Sequence, residues 1–493
     1  MAFDELAIED LLSRLSPAGH RRYLDTMLVQ DFSAFVMKVF GTVSPGDIFH
    51  PNWHIDAMAF AAKGVIDGSI KRLITTVPPR HLKSIIFSVA LPAFLLGLDP
   101  TKRIICISYS QELAVKHAID FRAVLTSSWY RHIFPQTVVS REKDTQVETM
   151  TTKRGYRYAT SLGGTLTGRG ADLIVLDDPQ KPEEALSEAH RVSAGQWFDT
   201  TLLSRLDSKS EGAVVIVMQR LHEDDLAGRL LAKGGWQHLK IAAIAEQDET
   251  IPIGRERVHH RAAGIVIDPG RETLEVLQRL RQSMGELFFS AQYQQEPIPL
   301  AGNLIKAQWF KAYETVPIEN SGDKIVISID TAMKGSPSAD YSVATIWMVR
   351  RECAYLLDLW RDRVDYPELK HKIISIRAKY PTATLLVEDK GSGTSLIQDL
   401  RASNISVVAI NPEGDKISRV AWICAQFEAG SVFFPKDAPW LMSLKAELLG
   451  FPNVKHDDQV DSISQALLWI QKCHQHEIPF VMPIVFSRPR DFP

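Results

Sequence analysis

The chain has 493 residues, of which 45% are hydrophobic and 23% charged, and its formal net charge is −3. This composition is that of a soluble globular protein with roughly two to four domains. No apolar run approaches the ~20 residues that span a bilayer, and the N-terminus lacks a secretion-signal pattern, so we expect an intracellular protein without a membrane segment. The 4 cysteines are far apart, which argues against a zinc site or a disulfide framework.

The first part of the chain is predicted to be helical, because apolar residues recur there at helical spacing. An aromatic-rich loop follows at residues 49–56 and leads into a helix. Two interpretations of this loop are equally compatible with the sequence. It packs against a nucleotide base, or it is a helix start held by a buried tryptophan.

From residue 70 onward, short apolar runs alternate with helical patterns, which indicates a parallel sheet covered on both faces. Two further runs, Val147–Thr152 and Tyr156–Ser161, are typical of an inserted hairpin. The predicted strands are Arg72–Val77, Arg103–Ser110, Leu173–Leu176 and Ala213–Met218, with helices at Gln111–Leu125 and Glu183–Thr201.

A different pattern begins near Lys324, after a stretch with charge clusters, scattered prolines and one clear helix. Three predicted strands follow in quick succession, at Ile325–Asp330, Tyr341–Val349 and Ala354–Trp360, and then helices and strands alternate. Three antiparallel strands followed by β–α alternation is the layout of an RNase H-like domain. We therefore predict an α/β protein in which a mixed sheet of this kind follows the N-terminal parallel sheet.

The segment Thr75–Ser84 joins a predicted buried strand to a predicted buried helix and ends in Lys83-Ser84. A tight loop that opens a helix with Lys-Ser is typical of a phosphate-binding loop, where Lys83 reaches the outer phosphates of ATP and Ser84 holds Mg²⁺. Val77 and Leu82 occupy both usual glycine positions, so a Pro-Pro turn before a helix with an exposed lysine is the alternative. Arg80 and His81, inside the loop, are also expected to bind the nucleotide.

Two acids, Asp177 and Asp178, follow the apolar strand Leu173–Leu176. In nucleotide hydrolases the first acid of such a pair holds Mg²⁺ and the second polarises the attacking water. Asp178 stands where glutamate is usual, so Glu183 or Glu184 are possible helpers. The alternative is a buried strand that ends in a helix cap.

Three more residues are candidates for the nucleotide site. Gln219 follows the predicted strand Ala213–Met218 and is expected to sense the γ-phosphate. Arg169, in a glycine-rich segment, is a candidate arginine finger acting on a neighbouring subunit, whereas Arg80 would act within its own subunit. A surface arginine or a turn is the alternative for each.

Acidic residues recur at the ends of predicted elements after residue 324. Such acids can converge on two hard cations that activate water and stabilise the leaving oxygen in phosphodiester cleavage. Oxygen ligands favour Mg²⁺ or Mn²⁺ over Zn²⁺. The alternative is that these acids face solvent. The predicted metal ligands are Asp330, Glu388, Asp457, Asp458 and Asp461, with Asp340 and Asp389 beside them, and Asp330, Glu388 and Asp458 are the predicted catalytic residues.

Together these residues resemble the large terminase subunit of tailed bacteriophages or prophages, from about Pro51 to Leu467. The family's common glutamate is replaced by Asp178, and a phosphate loop without glycines is tolerated in that family. The resemblance rests on the segments Val77–Ser84, Ser108–Ser110, Gly168–Gly170, Asp177–Pro179, Gln219–Leu221, Tyr293–Gln295, Asp340–Ser342 and His456–Asp461.

The resemblance implies a packaging ATPase that drives double-stranded DNA into a procapsid, joined to an RNase H-like nuclease that cuts concatemeric DNA. It implies a portal protein, a small terminase subunit and a homo-oligomeric ring as partners, in the host cytoplasm and transiently at the portal. A repair helicase-nuclease and a portal-docking scaffold without turnover are the alternatives. The predicted division is residues 1–48 helical, 49–245 ATPase, 246–320 lid or linker, 321–475 nuclease and 476–493 flexible tail.

Overall fold

The structure is a computed structural model that describes residues 16–166, 168–298, 304–331, 341–454 and 456–477. The chain divides into two compact units, Met1–Pro299 and Leu300–Pro493. The predicted lid or linker region is thus shared between the two units, and the five-part division stays a prediction. Within the described residues, no helix is long and apolar enough to cross a membrane.

The first unit is built around an eight-stranded sheet with the order β3-β4-β5-β2-β6-β7-β1-β8. Strands β5, β2, β6, β7, β1 and β8 are parallel, and β3, β4 and β5 pair antiparallel at one side. The central strands read as unbroken apolar runs because both of their faces are buried. The strands are β1 Arg72–Thr76, β2 Arg103–Ser108, β3 Val139–Asp144, β4 Glu148–Thr151, β5 Tyr156–Ser161, β6 Leu173–Asp177, β7 Ala213–Met218 and β8 Gln237–Lys240.

Helices cover both faces of this sheet, and several begin at a side chain that accepts a backbone N–H. Asp31 accepts from Ser33 and Ala34, and Ser110 accepts from Leu113, which satisfies amide groups that a helix start leaves unpaired. The helices are α1 Pro17–Gln30, α2 Phe32–Val43, α3 Trp53–Ile66, α4 Leu91–Leu98, α5 Gln111–Thr126, α6 Ser128–Ile133, α7 Pro182–Ala185, α8 Glu188–Trp197 and α9 Leu226–Lys233.

A π-helical segment, Ile85–Ala90, lies between Ser84 and α4. Its wider turn is seen where the N–H of Leu91 bonds to the carbonyl of Ile86. Pro92 has no N–H to donate to the carbonyl of Ser88, four residues earlier, which disfavours a regular α-helix at this point.

The rest of the first unit is a hairpin and two short helices. Strands β9 Glu249–Pro252 and β10 Val258–Arg261 pair antiparallel, and the helices α10 Leu274–Met284 and α11 Glu286–Gln292 follow. Phe289 of α11 packs with Leu277 of α10 and Ala243 in a small apolar cluster.

The second unit contains a seven-stranded mixed sheet with the order β11-β17-β14-β13-β12-β15-β16. Strands β12, β13 and β14 form an antiparallel meander, and β15 and β16 continue in parallel beside β12. The strands are β11 Lys311–Tyr313, β12 Lys324–Asp330, β13 Ser342–Arg350, β14 Cys353–Asp362, β15 Thr384–Glu388, β16 Val408–Ile410 and β17 Val432–Pro435, and the helices are α12 Tyr366–Lys379, α13 Ser392–Ala402, α14 Lys416–Glu428, α15 Leu441–Gly450 and α16 Asp458–Glu477.

A buried polar network fixes helix α16 on the sheet. Ser328 and Ser462 each donate their hydroxyl to the other's backbone carbonyl, at 2.8 and 2.9 Å. Gln465 donates to the hydroxyl of Ser328 at 2.9 Å. These bonds set the position of the first turns of α16, which carry Asp458 and Asp461.

The predicted fold class is confirmed: a parallel-sheet α/β unit precedes a mixed-sheet RNase H-like unit. The predicted helix Glu183–Thr201 is wrong in detail, because α7 and α8 are separate and the π-helical segment Phe198–Leu202 follows. Sequence patterns missed β3, β8, β9, β10 and β11, which are largely polar and therefore carry no apolar run. The end of the predicted tail, residues 478–493, and Asp340 lie outside the described residues.

Candidate active sites

The predicted phosphate loop, Val77–Ser84, follows β1 and takes the conformation that glycine usually provides. Leu82 has a φ of 62° and Arg80 a φ of 65°, both in the left-handed region. Each such residue costs about 1–2 kcal/mol relative to a right-handed conformation. The backbone thus keeps the left-handed turn at the second glycine position although a leucine occupies it, which removes the objection raised by the sequence pattern.

The ends of β1 and β6 bring the two predicted pairs of side chains together. Lys83 Nζ lies 3.1 Å from Asp178 Oδ2, and the Ser84 hydroxyl donates to Asp177 Oδ1 at 3.1 Å. Only β7 separates β1 from β6 in the sheet, so their carboxyl ends meet at one edge. This arrangement favours the phosphate-loop interpretation over a simple Pro-Pro turn with an exposed lysine, since Lys83 is only 6% exposed.

Asp177 is buried and surrounded by donors. Besides Ser84, the Ser88 hydroxyl donates to Asp177 Oδ2 at 2.7 Å, and His117 Nδ1 lies 3.4 Å from the same oxygen. Burial raises the pKa of Asp177, while the hydrogen bond from Ser88 and the charge of Lys83 oppose this change. Burial lowers the pKa of His117 to about 4, so its imidazole is neutral at pH 7.

Asp178 has a strained backbone and faces Lys83. Its φ is 43°, and the backbone N–H of Gln219 donates to its Oδ1 at 3.2 Å. Burial raises the pKa of the Asp178 carboxyl, whereas the ammonium of Lys83 lowers it. Both carboxylate oxygens of Asp178 are thus engaged, one by Lys83 and one by the N–H of Gln219. Non-glycine residues with positive φ often occur at functional sites.

The two other predicted nucleotide-site residues of this loop differ in exposure. Arg80 is exposed, and its carbonyl accepts from Arg271. His81 is buried, its Nδ1 lies 2.8 Å from the carbonyl of Pro79, and burial lowers its pKa to about 4. Its ring therefore supports the loop from inside.

Arg169 forms a bidentate ion pair with Glu148, at 2.8 and 2.9 Å, and lies over the ring of Tyr158. To reach a neighbouring subunit's nucleotide, this guanidinium would have to leave Glu148. Its predicted role as an arginine finger stays a prediction.

Sequence reasoning missed a connection that runs from Gln219 to the end of the first unit. The backbone N–H of Arg220 donates to Gln295 Oε1 at 3.0 Å, and the Arg220 guanidinium binds both oxygens of Asp225 at 3.0 Å. Gln295 has a φ of 57°. The sequence marked the two segments Gln219–Leu221 and Tyr293–Gln295 separately, but nothing in it indicated that they are joined. This connection joins the strand end at Asp178 to the segment that precedes the second unit.

The second site lies in the mixed sheet, where Asp330 ends β12 and Glu388 ends β15. Ile329 pairs with Val387, so these two acids are at adjacent positions of one sheet edge. The pKa of Asp330 is raised well above its ordinary value, first by burial and then by repulsion from Asp461, Glu388 and Asp458. Four acidic side chains predicted from the sequence therefore lie within electrostatic reach of one another.

Two cations already compensate part of this negative charge. Lys416 Nζ lies 2.7 Å from Asp457 Oδ1 and 2.6 Å from Asp461 Oδ2. Arg419 Nη2 lies 2.8 Å from Asp461 Oδ1. Both cations come from the first turns of α14, and sequence reasoning missed them because nothing in that helix marks them as part of the site.

Glu447 is a further residue that sequence reasoning missed. It is 6% exposed and accepts the backbone N–H groups of Gln459 and Val460 at 2.7 and 3.3 Å, so it caps the start of α16 from outside. Arg361 Nη2 lies 3.4 Å from Glu447 and 3.8 Å from Asp458. Burial raises the pKa of Glu447. Glu447 thus helps to position Asp458.

The donor chemistry of both sites fits hard divalent cations. The first offers the hydroxyl of Ser84 and the carboxylate of Asp177, and the second offers carboxylates that repel one another at Asp330. Within the residues that the structure describes, no three His, Cys, Asp or Glu side chains converge tightly enough to hold a metal ion without rearrangement. At the second site, Lys416 and Arg419 occupy carboxylate oxygens that a metal would need.

Comparison with known proteins shows what this chain resembles in one domain and in its fold. Residues 327–469 match the family model of the terminase RNaseH-like domain. The predicted resemblance to large terminases is confirmed. The large terminase of a thermophilic bacteriophage, solved with bound ADP, shares 14% identity with this chain, covering 85% of this chain and 100% of its own at a TM-score of 0.53.

Two further structures of that same phage terminase match this chain with similar identity, coverage and TM-score. A second crystal form gives 13% identity, covering 86% of this chain and 100% of that chain at a TM-score of 0.55. The complex with ATP-γ-S gives 13% identity, covering 85% and 98% at a TM-score of 0.53. The chain therefore has the large-terminase fold over most of its length. Comparison with curated proteins gives no match.

Proposed function

We propose that this chain is the motor subunit of a viral DNA-packaging machine, which hydrolyses ATP to move double-stranded DNA into a procapsid and cuts concatemeric DNA. The proposal rests on the presence of two candidate sites, of different chemistry, in one chain. The pairs Lys83–Asp178 and Ser84–Asp177 lie at the phosphate loop. The acids around Asp330 lie within a region that matches the terminase RNaseH-like domain.

At the first site, the N–H groups of the phosphate loop and Lys83 would bind the phosphates of ATP. Lys83 would exchange Asp178 for the β- and γ-phosphates, which frees that carboxylate to orient the attacking water. Ser84 and Asp177 would hold Mg²⁺, which neutralises phosphate charge when bound. Gln219, bonded through its N–H to Asp178, would pass the change in state to Arg220 and Gln295. The thermophilic phage terminase with ADP and with ATP-γ-S supports nucleotide as the ligand.

At the second site, Asp330, Glu388 and Asp458 would hold the cations beside the scissile phosphate, with Asp457 and Asp461 released from Lys416 as further ligands. Two Mg²⁺ or Mn²⁺ ions, when bound, would activate water and stabilise the leaving oxygen. Arg361, beside Asp458, is placed to contact the DNA backbone.

The partners and location follow from the same proposal. The subunits would form a ring at the portal protein in the host cytoplasm and receive DNA from a small terminase subunit. Because the net charge of one subunit is −3, the ring rather than the single chain would grip DNA, and the grip would weaken as salt rises.

The proposal is tested with the purified full chain. We expect duplex DNA to raise ATP turnover, and Mg²⁺ or Mn²⁺ to support plasmid cutting without ATP. A forked duplex should stay paired. Absence of both activities would support the non-catalytic scaffold, and unwinding of the forked duplex would support a repair helicase. The helicase alternative would need a second motor domain, and it is disfavoured because residues 327–469 match the terminase RNaseH-like domain instead.

A further inference from the structure

Arg157 is a charged residue in the interior of the first unit to which the proposed function gives no task. It lies on β5 and is 1% exposed. Burying a guanidinium is costly unless hydrogen bonds and opposite charge compensate it. Its position therefore calls for a specific set of partners.

Arg157 donates hydrogen bonds to a backbone carbonyl in the π-helical segment, and its charge also acts on the carboxylate of Asp177. Its Nε and Nη2 both donate to the carbonyl of Ser88, at 3.3 and 3.1 Å. The guanidinium carbon lies 5.2 Å from the centre of the Phe121 ring, which adds a cation–π contact. Among the described residues its Nη1 has no hydrogen-bond partner.

The sequence explains why the Ser88 carbonyl is available. In an α-helix it would accept the N–H of residue 92, but that residue is proline and has none. The two donors of Arg157 satisfy this carbonyl instead. Because the Ser88 hydroxyl donates to Asp177 Oδ2 at 2.7 Å, the bonds run without a break from Arg157 through Ser88 to Asp177.

We propose that Arg157 is a positioning residue for the metal–nucleotide site. By holding the Ser88 carbonyl, it fixes the π-helical turn, and this turn sets the hydroxyls of Ser84 and Ser88 on the carboxylate of Asp177. The inference rests on the proposed function, since it assumes that Ser84 and Asp177 hold Mg²⁺ beside the nucleotide. Arg157 itself touches neither.

The test measures ADP binding to the full chain by calorimetry, in EDTA and in saturating Mg²⁺. Arg157→Lys keeps the positive charge but loses the two hydrogen bonds to the Ser88 carbonyl. A change in Mg²⁺-dependent binding would therefore come from the lost geometry and not from a lost charge. We expect ADP affinity in EDTA to be unchanged, because Lys83 and the loop N–H groups are intact. The tightening by Mg²⁺ should fall by at least ~10-fold, the usual effect of removing a residue that orients a metal ligand. Ser88→Ala should reproduce this loss, and the double variant should lose no more than either single one.

Arg261→Lys is the matched control. Arg261 is also buried and donates to backbone carbonyls, those of Ala242, Ala243 and Ile265. It should lower the melting temperature, as Arg157→Lys does, and leave the Mg²⁺ effect intact.

A lower melting temperature in Arg157→Lys with full Mg²⁺ tightening would overturn the inference. If that variant does not fold, Ser88→Ala decides, and full tightening there would overturn it equally, because Ser88 is the link to Asp177. If the unmodified chain binds no ADP, or binds it without any Mg²⁺ effect, the proposed function itself fails at this site.

Discussion

The two candidate sites place carboxylates at the ends of strands but balance their charge in different ways. At the phosphate loop, each aspartate meets donors or a cation: Asp177 meets Ser84, Ser88 and His117, and Asp178 meets Lys83. At the acidic cluster, burial and neighbouring carboxylates both disfavour the charge on Asp330.

The two sites therefore differ in how far their charges are balanced before a ligand binds. The proposed nucleotide site is already ordered by its own hydrogen bonds, so ligand binding would exchange partners. The acidic cluster holds negative charge that Lys416 and Arg419 only partly offset, so a bound cation would stabilise it. Substitutions at each site test this difference.

The largest expected effect is loss of ATP turnover in Lys83→Ala. The variant removes the cation that would stabilise phosphate charge, so we expect turnover to fall at least ~100-fold while Mg²⁺-dependent cutting persists. Lys71→Ala is the control, because Lys71 lies just before β1 and pairs with the exposed Glu211. Steady-state ATPase and plasmid-cutting assays would check this, and loss of both activities in a folded variant would contradict two independent sites.

A second large effect should appear in Asp330→Asn, in the opposite assay. Cutting should fall at least ~100-fold with ATP turnover retained, since a metal ligand is lost. Without metal, the variant should melt at a higher temperature than the unmodified chain, because a buried charge among like charges is removed. Asp437→Asn, at an exposed position after β17, is the control. A lower melting temperature would mean that Asp330 is already well compensated.

The sequence predicted the site residues that a local pattern marks and missed those that act through contacts between distant segments. Strand-end acids such as Asp177, Asp330 and Glu388 follow apolar runs, so the fold class and the carboxylates were predictable. Lys416, Glu447 and Arg157 were not, because they act across elements distant in sequence and no local pattern marks them. The conformation of Leu82 was also beyond the sequence, since leucine at a glycine position argues against a positive φ until the surrounding packing is known.

A smaller effect is expected in Glu447→Ala. Two buried N–H groups at the start of α16 and Arg361 would lose their acceptor, which should destabilise the second unit by about 3 kcal/mol. DNA cutting should fall as well, because Asp458 is the first residue of this helix and would lose its position. Glu413→Ala is the control, since Glu413 pairs with Lys472 on the surface. Denaturant unfolding monitored alongside cutting would check both; full cutting in Glu447→Ala would show that Asp458 is positioned by other contacts.

The first unit should show a pH effect that His54→Gln removes. Burial and the charges of His81 and Arg271 lower the pKa of His54 to about 3. The unfolded chain takes up this proton as pH falls through about 6.5 and the folded chain does not, so acid favours unfolding. At about pH 5 the variant should gain about 2 kcal/mol over the unmodified chain, relative to their difference at neutral pH. Unfolding at the two pH values measures this, and a constant difference would show that His54 titrates normally.

The smallest effect should appear in Lys416→Ala, and it addresses the difference between the sites directly. Lys416 is half-exposed, so its ion pairs with Asp457 and Asp461 contribute only about 0.5–1 kcal/mol to stability. Without metal, the variant should therefore have a slightly lower melting temperature. With Mg²⁺, it should gain more in melting temperature than the unmodified chain, because no ammonium has to be displaced from the carboxylates. Lys436→Ala, which breaks a surface pair with Glu314, is the control and should respond to Mg²⁺ normally. An equal or smaller Mg²⁺ response in Lys416→Ala would mean that Lys416 and the metal occupy different parts of the cluster, and that the lysine stays in place when the cation binds.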